Sequence, residues 1–169
     1  MPNVGIVIGS ASDTEFAEKT SSVLDEFGIS NEIVVASAHR TPQKVKDYVQ
    51  SATESGTKVF IAQAGGSAGL PGCVASWTYL PVIGVPLPGG ILDGLDSLLS
   101  TLQMPKGVPV ATVAVGKAGA IIGAGNSGNG CPFPPGPPAS PGLLPPAPPA
   151  PPPPPPCLLY TSPRPRDSA

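Results

Sequence analysis

The sequence has little charge, and that charge is not concentrated anywhere along the chain. Charged residues make up 12% of the 169 residues, and residues 1–130 carry 7 Lys and Arg against 10 Asp and Glu, a net charge of −3. Nucleic acids and anionic membranes are bound by clustered Lys and Arg, so neither is expected as a partner. No apolar run reaches the roughly 18 residues of a spanning helix, and no basic leader precedes the first apolar run. We therefore expect a cytoplasmic protein.

Cysteine and histidine are also scarce. Of the 3 cysteines, Cys73 alone lies outside the proline-rich C-terminal region, and His39 is the single histidine. One cysteine in the ordered part supports neither a disulfide framework nor a zinc site. We interpret Cys73 as a packing residue and expect no metal.

The first 122 residues show a regular alternation of short apolar runs and amphipathic segments. Continuous apolar runs rich in β-branched residues predict strands buried on both faces, and apolar residues at helical spacing predict helices. The predicted strands are 4–9, 32–37, 58–63, 81–86 and 109–115, and the predicted helices are 13–27, 42–55 and 93–104. Strands that alternate with helices predict a parallel sheet with helices on both faces.

Two of the predicted helices have a clear apolar face. The apolar face of helix 13–27 consists of Phe16, Thr20, Val23, Leu24 and Phe27, and Gly28 is expected to end the helix. The apolar face of helix 42–55 consists of Val45, Val49 and Ala52, with Thr41 as the N-cap and Pro42 in the first turn.

The composition changes abruptly after Ile122. Of the 26 prolines, 18 lie in residues 131–169, and a run such as PPPPPP favours extended polyproline II. We expect an α/β domain over residues 1–122 and a disordered Gly/Pro-rich tail over 123–169. The tail is a proline-rich linker, a ligand for an SH3-type domain, or not natural coding sequence. We favour a frameshift or adaptor artefact, because LLYTSPRPRD resembles a translated sequencing adaptor.

Five unusual segments directly follow the predicted strands. In an open parallel sheet, ligands bind beyond the carboxyl ends of the strands, so these segments should cluster in one site. They are GSASD (9–13), SAHRTP (37–42), AGGSAGLPG (64–72), PLPGG (86–90) and GKAGA (116–120).

The first segment has the composition of a phosphate cradle. It combines a turn glycine with Ser10, Ser12 and Asp13 at the start of a helix, whose free N–H groups attract anions. The same side chains also serve as helix caps, and the segment is neither a dinucleotide fingerprint nor a P-loop. Asp13 could bind sugar hydroxyls or complement the helix dipole.

The second segment places His39 beside Arg40. An imidazole takes up and releases a proton near neutral pH, and a guanidinium has five donors suited to a phosphate. The alternatives are a capping or core histidine and a solvated arginine. The small residues of AGGSAG let a flat ligand approach the backbone, or allow close helix–sheet packing. Together the segments predict a small phosphorylated ligand and one proton-transfer group.

GSASD, SAHRTP, AGGSAGLPG and DSLLSTLQMPKGVPVATVAVGKAGA, in this order, resemble the class I PurE family over residues 3 to about 122. These are the N5-carboxyaminoimidazole ribonucleotide mutases of purine biosynthesis. The resemblance implies a three-layer, flavodoxin-like (Rossmann-like) α/β fold and a homo-octamer. It implies transfer of a carboxyl group from N5 to C4 of the imidazole through trapped carbon dioxide, without metal, ATP or organic cofactor.

The resemblance also assigns roles to residues. The family's catalytic histidine matches His39, which would handle both the proton that leaves C4 and the proton that reaches the released nitrogen. We expect the substrate to be bound by residues that match the family's binding residues and by their neighbours in the same segments. These are Ser10, Ser12, Asp13, Ser37, Arg40, Gly65, Gly66 and Leu70. Arg40 matches the family's phosphate-binding arginine.

Two departures from the family leave alternatives open. Gly69 stands where the family usually has a second histidine, and the tail replaces a long helix that follows GKAGA in the family. An inactive ribotide-binding remnant fits both departures, and an interaction module on an α/β scaffold would use the tail. A carboxylase acting on aminoimidazole ribonucleotide with free carbon dioxide is a further alternative, although that branch usually has lysine where Arg40 stands.

Overall fold

The computed structural model describes residues 2–127, and within them five strands form one parallel sheet. The strands are β1 (Val4–Ile8), β2 (Asn31–Val35), β3 (Val59–Gly65), β4 (Val82–Leu87) and β5 (Ala111–Thr112). Their order in the sheet is β2-β1-β3-β4-β5, which is the flavodoxin-like order. All five predicted strands are present, and the predicted fold class is confirmed. β5 is shorter than predicted.

The helices are α1 (Thr14–Glu26), α2 (Pro42–Glu54), α3 (Leu70–Ala75), α4 (Leu95–Leu102) and α5 (Gly116–Ser127), and a 3-10 turn (Ala11–Asp13) precedes α1. The pattern predicts α1, α2 and α4 to within a few residues. It does not predict α3 or α5, because both contain glycine, which has low helix propensity. Packing against the sheet stabilises these two helices.

Two apolar layers separate the sheet from its helices. On one face Val45 and Val49 of α2 pack against Val7 and Phe60 of the strands, with α3 beside them. On the other face α1 and α5 pack against the sheet around Ile6, Ile8, Leu24, Ile61, Val85 and Ala124. Each of these large side chains contributes about 1.5–3 kcal/mol when fully buried. The sheet therefore lies between two helical layers, as predicted.

The edge strand β2 differs from the prediction that every strand is buried on both faces. Ile33 and Val35 remain 36% and 40% exposed, whereas Val34 between them packs into the core. Phe27, predicted on the buried face of α1, is 54% exposed because the helix ends before it and Phe27 is its C-cap.

Helix ends follow local chemistry. Gly28 adopts φ +68°, which lets the Ile29 N–H donate to the Leu24 carbonyl at 2.9 Å and ends α1. Thr41 is the N-cap of α2 as predicted, but its side chain makes no capping bond. Its hydroxyl instead accepts from the Ser37 N–H at 2.9 Å.

Helix α5 continues to Ser127, beyond the domain boundary expected at residue 122. Close packing explains the extension: a Cβ at Gly123 would lie 3.2 Å from Cγ2 of Val85, and Ala124 is fully buried. The rest of the expected tail, residues 128–169, lies outside the described residues. None of the helices within residues 2–127 is long and apolar enough to cross a membrane.

A buried polar chain connects β3, α1 and α5. Thr20 and Gln63 are both fully buried. Nε2 of Gln63 donates to Oγ1 of Thr20 at 2.6 Å, and that hydroxyl lies 3.1 Å from the Ala120 carbonyl, to which it can donate. Oε1 of Gln63 has no hydrogen-bond partner among the described residues.

Candidate active site

A cavity of about 440 Å³ lies at the carboxyl ends of β1, β2, β3 and β4. It therefore includes the switch point between β1 and β3, where the strand order reverses. Four of the five segments singled out in the sequence contribute to it. Its lining residues are Gly9, Ser10, Asp13, Ser37, Ala38, His39, Arg40, Ala64, Gly65, Gly66, Ser67, Gly69, Leu70, Pro88, Gly89 and Gly90.

The structure brings nearly all of the predicted site residues together. His39, Ser10, Asp13, Ser37, Arg40, Gly65, Gly66 and Leu70 line the cavity, and Ser12 does not. Ser12 is exposed outside the lining, and its hydroxyl is 2.9 Å from Oγ of Ser10 and 3.2 Å from Oδ1 of Asp13. It can therefore affect the cavity through those two side chains.

Ser10 combines the two interpretations that its sequence leaves open. It is the N-cap of the 3-10 turn, and its Oγ accepts the Ser12 N–H at 3.3 Å. It also lines the cavity. A hydroxyl that accepts from the backbone retains its own hydrogen for donation. Ser10 can thus cap the turn and donate to a ligand at the same time.

Arg40 joins two of the loops. Its Nη2 donates to the Gly9 carbonyl at 3.0 Å, and its backbone N–H donates to Oγ of Ser37 at 3.2 Å. One guanidinium nitrogen therefore fixes the Arg40 side chain to the loop that contains Gly9. A guanidinium has five donors in a planar fork, so the others remain for an anion.

His39 is exposed, and no hydrogen bond to its imidazole is present within residues 2–127. The glycine-rich loop comes close to the ring at Gly69. A Cβ built on Gly69 would lie 3.3 Å from Nε2 of His39 and 3.6 Å from Cε1.

The loop after β4 is the part of the cavity that sequence analysis left out of the predicted site residues. Pro88, Gly89 and Gly90 line the cavity, and both glycines have positive φ, +109° and +79°. A Cβ on Gly90 would lie 3.4 Å from Cα of Gly66, so the two glycine loops meet. The sequence feature that could have identified these lining residues is the pair of consecutive glycines directly after a strand.

The fifth segment, GKAGA, supports the cavity without lining it. Gly116 has φ +69°, and a Cβ there would lie 3.4 Å from Cδ of Pro88. The start of α5 therefore packs behind the loop that carries Gly89 and Gly90.

Cys73 lies one turn of α3 beyond Gly69 and packs against the core, as predicted. Burial raises the pKa of its thiol, and the nearby Trp77 side chain partly opposes this effect. A thiol of this kind is a poor nucleophile near neutral pH. No group of three or more His, Cys, Asp or Glu side chains suited to a metal ion occurs in the described part of the chain.

Comparison with known proteins identifies the family. The sequence model described as AIR carboxylase matches residues 3–127. N5-carboxyaminoimidazole ribonucleotide mutase of Aquifex aeolicus is 56% identical over 117 residues, which cover 69% of this chain and 70% of that protein. The protein of the same name from Thermotoga maritima is 56% identical over 118 residues, which cover 70% of this chain and 69% of that protein.

Solved structures agree with this assignment. The crystal structure of Treponema denticola PurE superposes with a TM-score of 0.66 at 34% identity, covering 75% of this chain and 79% of that chain. The family match covers the whole cavity, including the loop after β4. The chain therefore belongs to the AIR carboxylase family.

Proposed function

We propose that this protein is an N5-carboxyaminoimidazole ribonucleotide mutase of purine biosynthesis. It would convert N5-carboxyaminoimidazole ribonucleotide into 4-carboxy-5-aminoimidazole ribonucleotide in the cytoplasm. The observation that carries the proposal is that the chain's single histidine lies beside Arg40 in the cavity at the sheet's switch point. Relatives that are 54–56% identical and bear the name of this mutase support it.

The cavity suits a ribotide in size and in polarity. Pockets for small molecules are typically about 300–1,000 Å³. Arg40 would bind the phosphate through the donors that Gly9 does not use. Ser10, Asp13 and Ser37 would bind hydroxyl groups, with Ser12 holding Ser10 and Asp13. Gly65, Gly66 and Leu70 would lie against the imidazole ring of the ribotide.

His39 would be the catalytic residue. Cleavage of the N5–carboxyl bond releases carbon dioxide and leaves the electron pair on nitrogen, which takes a proton from the imidazolium. C4 then attacks carbon dioxide, and the now neutral imidazole removes the C4 proton. The proton given in the first step is recovered in the second, so one imidazole suffices and no further reagent is consumed.

Retention of carbon dioxide would depend on a closed and ordered site. Holding the released molecule next to C4 replaces a bimolecular recapture by an intramolecular one. The homo-octamer that the resemblance implies would cover apolar surface that one chain leaves exposed. Leu95, Leu99 and Leu102 form such a face on α4 and are each about half exposed.

The test is turnover of the purified chain with N5-carboxyaminoimidazole ribonucleotide, beside His39→Asn. We expect the unmodified chain to be active and His39→Asn to lose at least about 100-fold in kcat, the usual contribution of a general acid–base group. Glu54→Gln, which removes an exposed titratable group outside the cavity, is the matched control and should retain full activity.

The same assay separates the alternatives. Product formed from aminoimidazole ribonucleotide and bicarbonate, but not from the carbamate, would indicate a carboxylase that uses free carbon dioxide. Binding of the ribotide without turnover, in protein folded by circular dichroism, would indicate an inactive remnant and refute the mutase proposal.

A further inference from the structure

The two residues that carry the proposed chemistry lie on a turn, residues 37–41, rather than on a helix or strand. His39 and Arg40 are both exposed there, between the end of β2 and the start of α2. The chain is fixed just before the turn, where the Ala36 N–H donates to the Ile8 carbonyl at 2.9 Å. Exposed loops are mobile unless they are held, so hydrogen bonds within the turn contribute to the placement of both side chains.

Ser37 and Thr41 close this turn on itself. The Thr41 N–H donates to the Ser37 carbonyl at 2.9 Å, and the Ser37 N–H donates to Oγ1 of Thr41 at 2.9 Å. The Thr41 hydroxyl also lies 3.3 Å from the Ser37 carbonyl, to which it can donate. One side chain therefore binds both backbone groups of Ser37, with His39 and Arg40 between the two residues.

Thr41 has neither of the two roles that its position suggests. It is the N-cap of α2, yet its side chain makes no capping hydrogen bond. It follows Arg40 directly, yet it does not line the cavity. A threonine at the start of a helix usually accepts from an N–H of the first turn, whereas this hydroxyl accepts from Ser37. The hydroxyl of Thr41 therefore stabilises the turn and not the helix.

We propose that Thr41 is a positioning residue whose hydroxyl holds the turn that presents His39 and Arg40 to the cavity. The proposal rests on the proposed function, in which His39 transfers protons and Arg40 binds the phosphate. Ser37 connects the two ends of the turn, because its Oγ accepts the Arg40 N–H at 3.2 Å. Ser37 itself lines the cavity, so a change at Thr41 reaches the site through it.

Without the hydroxyl, the turn would keep only part of these bonds. The Thr41 N–H would still donate to the Ser37 carbonyl, whereas the Ser37 N–H would lose its acceptor. A displacement of about 1 Å from productive geometry can cost about 100-fold in rate, and a turn that is still partly held should lose roughly 10-fold in kcat/KM. Both constants should change, because His39 acts on the reacting atoms and Arg40 on the phosphate.

The experiment compares Thr41→Val, which removes the hydroxyl and keeps the shape, with Thr41→Ser, which keeps the hydroxyl. Thr53→Val is the matched control, because it makes the same change at the other end of α2, where the hydroxyl donates to the Val49 carbonyl at 2.7 Å. Steady-state kinetics with N5-carboxyaminoimidazole ribonucleotide give kcat and KM. Amide hydrogen exchange, followed by NMR, reports on the Ser37 N–H directly, with the Ala36 N–H as the internal reference.

We expect Thr41→Val to speed exchange of the Ser37 amide roughly 3- to 10-fold, which corresponds to the net strength of one hydrogen bond, and to leave the Ala36 amide unchanged. In the same variant kcat should fall and KM should rise, each by roughly threefold or more. Thr41→Ser should stay within about twofold of the unmodified chain, because its hydroxyl can make the same bonds. Thr53→Val should change none of these quantities. A variant that merely lost folded protein would lower the apparent kcat and leave KM unchanged.

Unchanged exchange of the Ser37 amide in Thr41→Val, or equal losses in Thr41→Val and Thr41→Ser, would overturn the inference. Faster exchange with kcat and KM both unchanged would overturn it too, because the hold on the turn would then not matter to the chemistry. No turnover in the unmodified chain would refute the proposed function instead. Exchange that is faster in Thr41→Val alone would in that case still support the hold of Thr41 on the turn.

Discussion

Replacing Thr20 with valine should destabilise the protein far more than the small change in side-chain volume suggests. Valine matches threonine in shape but lacks the hydroxyl, which accepts from Nε2 of Gln63 at 2.6 Å. Because Oε1 of Gln63 already lacks a partner in the described residues, the substitution leaves the whole buried amide unpaired.

The magnitude follows from the cost of burying an unsatisfied group. A buried donor that loses its partner costs about 1–3 kcal/mol, and loss of the bond from Thr20 to the Ala120 carbonyl adds about 1 kcal/mol. We therefore expect Thr20→Val to lower the free energy of unfolding by about 2–4 kcal/mol. Gln63→Met removes both amide groups and leaves the bond from Thr20 to Ala120, so it should cost less than about 1 kcal/mol.

The double variant separates this reasoning from a general loss of packing. With the amide already removed, Thr20→Val should add only about 1 kcal/mol, so the two substitutions should couple by roughly 1–3 kcal/mol. Equilibrium unfolding in urea, followed by circular dichroism, gives each value from the midpoint at constant m. Additive losses, or a Thr20→Val protein as stable as the unmodified one, would refute the account of a shared buried amide.

Two further predictions concern Arg40 and Tyr48. Arg40→Lys keeps the charge but lacks the planar fork of donors, so it cannot combine the bond to Gly9 with a bidentate contact to a phosphate, and KM for the ribotide should rise roughly 10-fold or more. An unchanged KM, equal to that of the exposed control Lys58→Met, would contradict the role of Arg40. Burial, and then the hydrogen bond to Glu32 at 2.9 Å, raise the pKa of Tyr48 above its usual range. Since an unfolded tyrosine ionises near pH 10, stability should be intact below about pH 10 and fall above it, and thermal melting of Tyr48→Phe should lack this fall.

The positions of the site residues were predictable because strand ends converge. A parallel sheet brings the segments after its strands to one edge, so Ser10, His39 and Gly66 meet although they are far apart in sequence. The direction of an individual side chain was not predictable. Ser12 stays outside the lining, in the 3-10 turn that Ser10 caps and through which the chain enters α1.

The parts of the fold that sequence analysis missed are those where glycine acts through packing. Propensity argues against helices at α3 and α5, yet both form because small residues let them lie close to the sheet. At Gly84, for example, a Cβ would lie 2.8 Å from Cγ1 of Val110 and 3.3 Å from Cβ of Pro71. Such contacts join segments distant in sequence, so no local pattern reveals them.

The position of α5 has a consequence for synthesis on the ribosome. This helix is the last described element of the chain, yet it covers Ile61, Ile83 and Val85 of the two central strands β3 and β4. Until residues beyond Gly116 emerge, α1 covers that face of the sheet without α5, and the growing chain leaves Ile61, Ile83 and Val85 less protected from solvent. The domain of residues 2–127 thus completes its fold only after α5 has emerged, and a chain of 115 residues should be more prone to aggregation and to chaperone binding than the domain with α5.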